Sequence, residues 1–150
     1  LKVTQLIILM KMVRTLTSKA VYYYSLTGKT EAIIDKIQSD DIFISKLNNT
    51  KPSEVSFAGY DTIIIGSSTY GRGVPPKYFL DILPQLRSIK NKRIGLFGSG
   101  QTIYGDYFCG ALDVFEEMLS PRNEIIFKYK FEGYPSEKVF KELKQLILEA

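Results

Sequence analysis

The chain contains no histidine and a single cysteine, Cys109. Without histidine, neither a Ser-His-Asp nor a Cys-His nucleophile system can be assembled, and histidine-based zinc or iron sites are excluded as well. One thiol rules out an internal disulfide, a Cys-x-x-Cys redox pair and a cysteine-ligated cluster. Redox chemistry in this chain therefore requires a bound organic cofactor. An excess of acid is missing too: 20 Lys and Arg stand against 16 Asp and Glu, for a net charge of +4. The cations are scattered, with short clusters at Lys90-Asn91-Lys92-Arg93 and Lys128-Tyr129-Lys130. No block of like charge reaches the length of a nucleic-acid-binding tail, so no specific nucleic-acid partner is expected.

No hydrophobic run is long enough to cross a bilayer. The apolar stretch over residues 3–13 is broken by Gln5 and Lys11 and is too short to span. Its basic flanks resemble a weak secretion signal, but cleavage near Ala20 would cut into the first core strand. Residues 1–17 thus read as an extension of two possible kinds. They form a short appended helix, or they precede a native start for which Met10 and Met12 are candidates. The absence of disulfides and of a clear signal points to the cytoplasm, with no membrane partner. Internal repeats and low-complexity segments are also lacking.

The sequence does carry a regular alternation. At 150 residues, with 45% hydrophobic and 24% charged positions, the chain has the composition of one ordinary globular domain, here residues 18–150. Lys19–Tyr24 (KAVYYY) is β-branched and aromatic, hence a strand. Residues 31–39 place Ile33, Ile34 and Ile37 at helical spacing, and 41–47 alternate as an edge strand. The runs 61–66 (DTIIIG) and 93–98 (RIGLFG) are apolar throughout, as in strands covered on both faces. Residues 76–86 read as a helix with proline in its first turn that Pro84 ends or bends. A helix over 107–119, a strand over 124–131 and a closing helix over 136–148 capped by Ser136 complete the chain. Five strand–helix alternations predict an α/β domain: a parallel sheet with helices on both faces. Ligands in such sheets bind beyond the carboxyl ends of the strands, where loops 25–30, 67–75 and 99–106 fall.

Loop 25–30 (SLTGKT) joins a strand to a helix N-terminus, where free N–H groups and the helix dipole attract a phosphate. Its hydroxyls add donors. It is neither a Walker loop nor a Gly-x-Gly-x-x-Gly turn, because Gly28 has no partner glycine at either spacing. From the residues alone, a phosphate cradle and a plain helix cap are both open. Loops 67–75 and 99–106 each bring an aromatic, Tyr70 and Tyr104, to the same edge, as a planar ligand would need.

Segments 25–30 (SLTGKT), 61–71 (DTIIIGSSTYG) and 97–111 (FGSGQTIYGDYFCGA) resemble, in order, the three flavin-binding segments of flavodoxins, and the Tyr-Phe-Cys-Gly-Ala run is similar to that of short-chain members. The resemblance implies a flavodoxin-like three-layer sandwich whose five parallel strands run in the order 2-1-3-4-5. It implies a low-potential single-electron carrier that holds FMN without covalent attachment. Such a carrier is expected to be no enzyme but a monomeric shuttle between a reductase donor and an acceptor enzyme. Carried over by position, Ser25, Leu26, Thr27, Gly28, Lys29 and Thr30 would wrap the FMN phosphate. Ser68 and Thr69 would lie beside the phosphate and ribityl chain. Tyr70 would stack on the inner face of the flavin ring, where many relatives have tryptophan, and Tyr104 on the outer face. Ser99, Gly100, Gln101, Phe108 and Cys109 would line the polar edge of the ring. Gly71 would let its peptide turn a carbonyl toward N5 of the reduced ring. No catalytic residue and no metal ligand is expected.

The chain departs from the family pattern at Gln101, in place of the usual acid of the third loop, and at Arg72, in place of an acid of the second. Its pI near 9.0 is also unusual in a family of acidic proteins. Positive charge beside the ring favours the anionic reduced flavin, so a less negative final potential than is usual for the family is expected. An NrdI-type flavoprotein supporting class Ib ribonucleotide reductase shares the fold and cofactor and is the alternative reading. A phosphorylated receiver domain is disfavoured, since Gly66-Ser67 and Ser25-Leu26 stand where its acids would be.

Overall fold

A computed structural model describes residues 2–16, 19–25, 28–37, 41–69, 73–100, 105 and 109–150. Strand β1 spans Lys19–Tyr24, β2 Ile42–Lys46, β3 Thr62–Ser68, β4 Arg93–Gly100 and β5 Glu124–Glu132. They form one sheet in the order β2-β1-β3-β4-β5, and every neighbouring pair is parallel. This is the predicted topology. The helices are α1 (Val3–Leu16), α2 (Lys29–Asp35), α3 (Tyr78–Asp81), α4 (Leu83–Arg87), α5 (Gly110–Leu119) and α6 (Glu137–Glu149). Among the described residues, no helix is long and apolar enough to cross a membrane.

Alternation along the strands divides the core. In β1, Ala20 and Tyr22 face the side covered by α3, α4 and α5, where Phe79, Ile82, Leu86, Leu112 and Phe115 pack. Val21 and Tyr23 face the other side, against Ile33 and Ile34 of α2 and Phe140, Leu143 and Ile147 of α6. The same two-residue period sends Ile63 and Ile65 one way and Ile64 the other. Side chains such as Phe115 and Ile33, almost wholly withdrawn from water, each contribute about 1.5–3 kcal/mol through burial.

The element boundaries shift where local chemistry overrides the pattern. The segment 76–86 is two short helices rather than one, broken at Ile82 (φ −108°, ψ 16°). Pro84 has no N–H to donate and its ring would clash with the carbonyl of Leu80, so the chain restarts with the proline in the first turn of α4. Helix α2 ends at Asp35 instead of continuing to 39. Ser136 caps α6 as expected, its Oγ accepting from the Val139 N–H at 3.3 Å.

Two buried acids make the fold sensitive to alkali. Burial pushes the Cys109 thiol up to about 11. Burial, with Tyr60 nearby, raises the Tyr22 phenol above its ordinary value. Both stay protonated in the native state at a pH where the unfolded chain has released its protons. Stability is therefore fully present below the unfolded values near 9 to 10 and falls as pH rises through the folded ones. The urea midpoint should drop between pH 8 and pH 10.5; an unchanged midpoint would contradict this placement of the two groups.

Candidate functional site

The sheet register sets three polar strand ends side by side. Tyr24 pairs with Ser67, Ser67 with Gly98, and Ser68 with Ser99. Ser25, Ser68 and Ser99 thus lie at the carboxyl edge of three successive strands, about 5 Å from one to the next. All are buried, and Ser67, wholly buried, turns its Oγ onto the Ser68 carbonyl at 2.7 Å.

The first loop closes on itself. The Gly28 N–H donates to Ser25 Oγ at 3.1 Å, and Gly28 adopts φ +79°, ψ −5° at the N-cap of α2. A left-handed residue is needed there, and glycine supplies it without steric cost. Asn48, in the turn after β2, holds the base of this loop. Its Oδ1 accepts from the Ser25 N–H at 3.0 Å and its Nδ2 donates to the Ser25 carbonyl at 2.8 Å. Farther along, the Glu31 carboxylate on α2 takes both bonds from Lys46 Nζ at 2.9 Å, and that bond holds the lysine above its ordinary value. Helix α2 is thereby tied to the end of β2 as well as to the sheet beneath it.

Thr30, in the first turn of α2, is wholly buried, and its Oγ1 has no hydrogen-bond partner among the described residues. An unpaired buried hydroxyl costs about 1–3 kcal/mol, so natural cores seldom retain one without a use. It lies two residues past the Gly28 turn, where the free N–H groups of α2 also open. This is the donor set that a phosphate group requires: a hydroxyl with no internal obligation, backbone amides and a tight glycine turn. The residues present fit such a group.

The second loop is tied to α5 at Thr69. Thr69 Oγ1 accepts from the Ala111 N–H at 3.3 Å, leaving its own proton for another partner. Cys109 enters α5 with φ +49°. Its thiol is wholly buried and points to the Gly98 carbonyl at 3.5 Å and the Phe131 carbonyl at 3.6 Å. The side chain of Cys109 is therefore part of the core on the α5 side of the sheet.

Of the positions expected at the site, Ser25, Gly28, Thr30, Ser68, Thr69, Ser99, Gly100 and Cys109 are brought to the same edge. The backbone of Lys29 opens α2 there. Leu26, Thr27, Tyr70, Gly71, Gln101, Tyr104 and Phe108 lie outside the described residues, as does Arg72. Sequence reasoning missed Asn48. An Asn pair in a turn directly after an edge strand was the available signal, since Asn side chains readily bond neighbouring backbone. Asn48→Ala should lower phosphate-ligand affinity about tenfold and cost about 1–2 kcal/mol of stability, because it frees both polar groups of the Ser25 backbone. Chemical denaturation and ligand titration of the variant check both; unchanged affinity would mean that the clamp does not position the loop.

Fold and site together define a doubly wound α/β domain whose carboxyl edge, at the switch point of its sheet, gathers groups that suit a phosphate. The family model described as flavodoxin matches residues 21–133. The chain is 30% identical to probable flavodoxin 2 of Bacillus subtilis over 130 residues, covering 81% of this chain and 85% of that protein. It superposes on oxidised flavodoxin 2 of Bacillus cereus with a TM-score of 0.70 at 30% identity, covering 87% of this chain and 98% of that one. A Fusobacterium nucleatum flavodoxin bound to flavin mononucleotide gives a TM-score of 0.63 at 20% identity, with 87% and 94% covered, a likeness that shows the common fold. The chain belongs to the flavodoxin family.

Proposed function

We propose that this flavodoxin holds FMN at the carboxyl edge of its sheet and works as a single-electron carrier between a reductase and an acceptor enzyme in the cytoplasm. The observation that carries the proposal is the buried, unpartnered Thr30 hydroxyl beside the Gly28 turn. In this reading, Ser25, Gly28 and Thr30, with the N–H groups at 26–30, surround the phosphate. The Thr69 proton and Ser68 serve the ribityl chain. Tyr70 and Tyr104 cover the two ring faces, and Ser99, Gly100, Gln101, Phe108 and the Cys109 backbone follow the ring edge. Bound FMN supplies one-electron transfer at its isoalloxazine ring. The chain's own contribution is to fix the ligand by amides and hydroxyls, to keep water from the ring faces, and to let Gly71 present a carbonyl to the ring nitrogen N5.

The chain has no histidine to serve as a general acid or base, which favours a carrier over an enzyme. The test is electron transfer in both directions. The purified protein should leave NADPH unoxidised by itself. With an added flavin-dependent NADPH reductase, it should accelerate reduction of cytochrome c. NADPH consumption by the protein alone would instead make it a reductase.

A further inference from the structure

Helix α1 is unlike the other helices. Residues 2–9 are all exposed, and they include Val3, Leu6, Ile7, Ile8 and Leu9, with Val3 at 73% and Ile8 at 54%. Neither half of the core contains any of them. A lone apolar side chain on a surface is ordinary, but five of them within two turns form a patch that water does not favour. The helix has 14 residues and is therefore about 21 Å long, against about 30 Å for a hydrocarbon core, so it cannot cross a bilayer.

The charge along the chain from α1 into α2 is of one sign up to Glu31. No Asp or Glu precedes Glu31, whereas Lys2, Lys11, Arg14, Lys19 and Lys29 all fall in that stretch. The helix is followed at Lys19 by β1, and so leads into the amino edge of the sheet. The sector of that rim at β4 and β5 is basic as well, while Asp41 and Glu149 stand at its β1–β2 end. Lys92, Arg93 and Arg122 line one open cleft there, and Lys90 joins Lys92 in the next. The carboxylates among them are Asp61, with Oδ1 3.9 Å from Lys92 Nζ, and Glu124. The cations outnumber them.

We propose that α1 lies flat on an anionic phospholipid surface, its apolar side chains at the acyl boundary, while Lys2 and the rim cations meet lipid phosphates. Either signal alone binds membranes weakly; an apolar helix joined to a basic patch binds stably. Pairing with a second copy of α1 is disfavoured, because it would bring two acid-free segments together with no carboxylate in either to offset their charge. The amino rim is opposite the carboxyl edge in a parallel sheet, so a protein held this way would present its ligand edge to water and to soluble partners.

The test is flotation of the full chain with vesicles of phosphatidylcholine containing about a third phosphatidylglycerol, beside vesicles of phosphatidylcholine alone. Binding should require the anionic lipid and be lost in 0.5 M salt. The double variant Leu6→Glu, Leu9→Glu should lower partitioning at least tenfold, and Lys92→Glu, Arg122→Glu several-fold. Lys141→Glu, on exposed α6 surface, should change it little. An unchanged thermal midpoint of the α1 variant shows that the domain itself is intact. No flotation of the wild type overturns the proposal, as does equal binding to both vesicle types. An α1-dependent dimer by light scattering without vesicle binding assigns the helix to a second copy instead.

Discussion

Replacing Thr30 with valine lowers affinity for FMN by about 10–100-fold and leaves the apoprotein at least as stable as before. The two effects have one cause. Valine keeps the shape of threonine but removes a hydroxyl that has no partner among the described residues. If that hydroxyl donates to a charged phosphate, losing it costs about 1.5–3 kcal/mol in the complex. In the apoprotein, the same loss relieves an uncompensated burial, so stability is unchanged or rises. Riboflavin, which lacks the phosphate, is the control: the variant should bind it as the wild type does. Equal losses for FMN and riboflavin would show that Thr30 shapes the loop without touching the phosphate. A fall in apoprotein stability would show that the hydroxyl has a partner within the fold.

Gly98→Ala should be the most damaging small substitution in the sheet. A Cβ at this position would sit 2.1 Å from the Ser67 carbonyl oxygen, on the neighbouring strand and within the ladder that joins β3 to β4. The obstacle is backbone, and it cannot turn aside as a flexible side chain would. Leu112 Cδ2, at 3.3 Å, closes the remaining space. Overpacking of this kind costs about 3 kcal/mol or more, which for a domain of this size is a fall in Tm of about 6–12 °C. Loops 67–75 and 99–106 both spring from these two strands, so ligand affinity should fall with stability. Thermal unfolding monitored by circular dichroism checks the first effect. A Tm within a degree or two of the wild type would mean that the two strands separate without cost, contrary to the core described for β3 and β4.

The sheet was legible because its signals are local and repeated. The β1 boundaries follow directly from KAVYYY, and the apolar runs of β3 and β4 could only be strands covered on both sides. The polar ends of those strands were not legible. Ser67 and Ser68 extend β3 past its last glycine, and Ser99 and Gly100 extend β4, because the ladder and the bond from Ser67 Oγ to the Ser68 carbonyl satisfy groups that look like loop residues. Pro84 announced a break, but whether the helix stops before or after it depended on which residue could occupy a first turn. At the site, the hydroxyl-rich first loop was readable as a phosphate cradle or a cap. The burial of Thr30, which only the packed α2 reveals, is the observation that supports the cradle. Asn48 was only half legible: the Asn pair after β2 marks a turn that bonds backbone, but its partner Ser25 depends on β2 lying beside β1, which the spacing of 23 residues does not reveal. The packing of Cys109 has its reason in the fold: a left-handed backbone at the start of α5 sets its thiol against the Gly98 and Phe131 carbonyls.

The direct measurement is a fluorescence titration of FMN with the apoprotein. Yellow flavin held between the loops at this edge should lose its emission, saturating at one equivalent with a Kd below about 1 μM, as expected for a preformed site that buries a ring and anchors a phosphate. Undiminished FMN emission at micromolar protein would contradict the account at its centre.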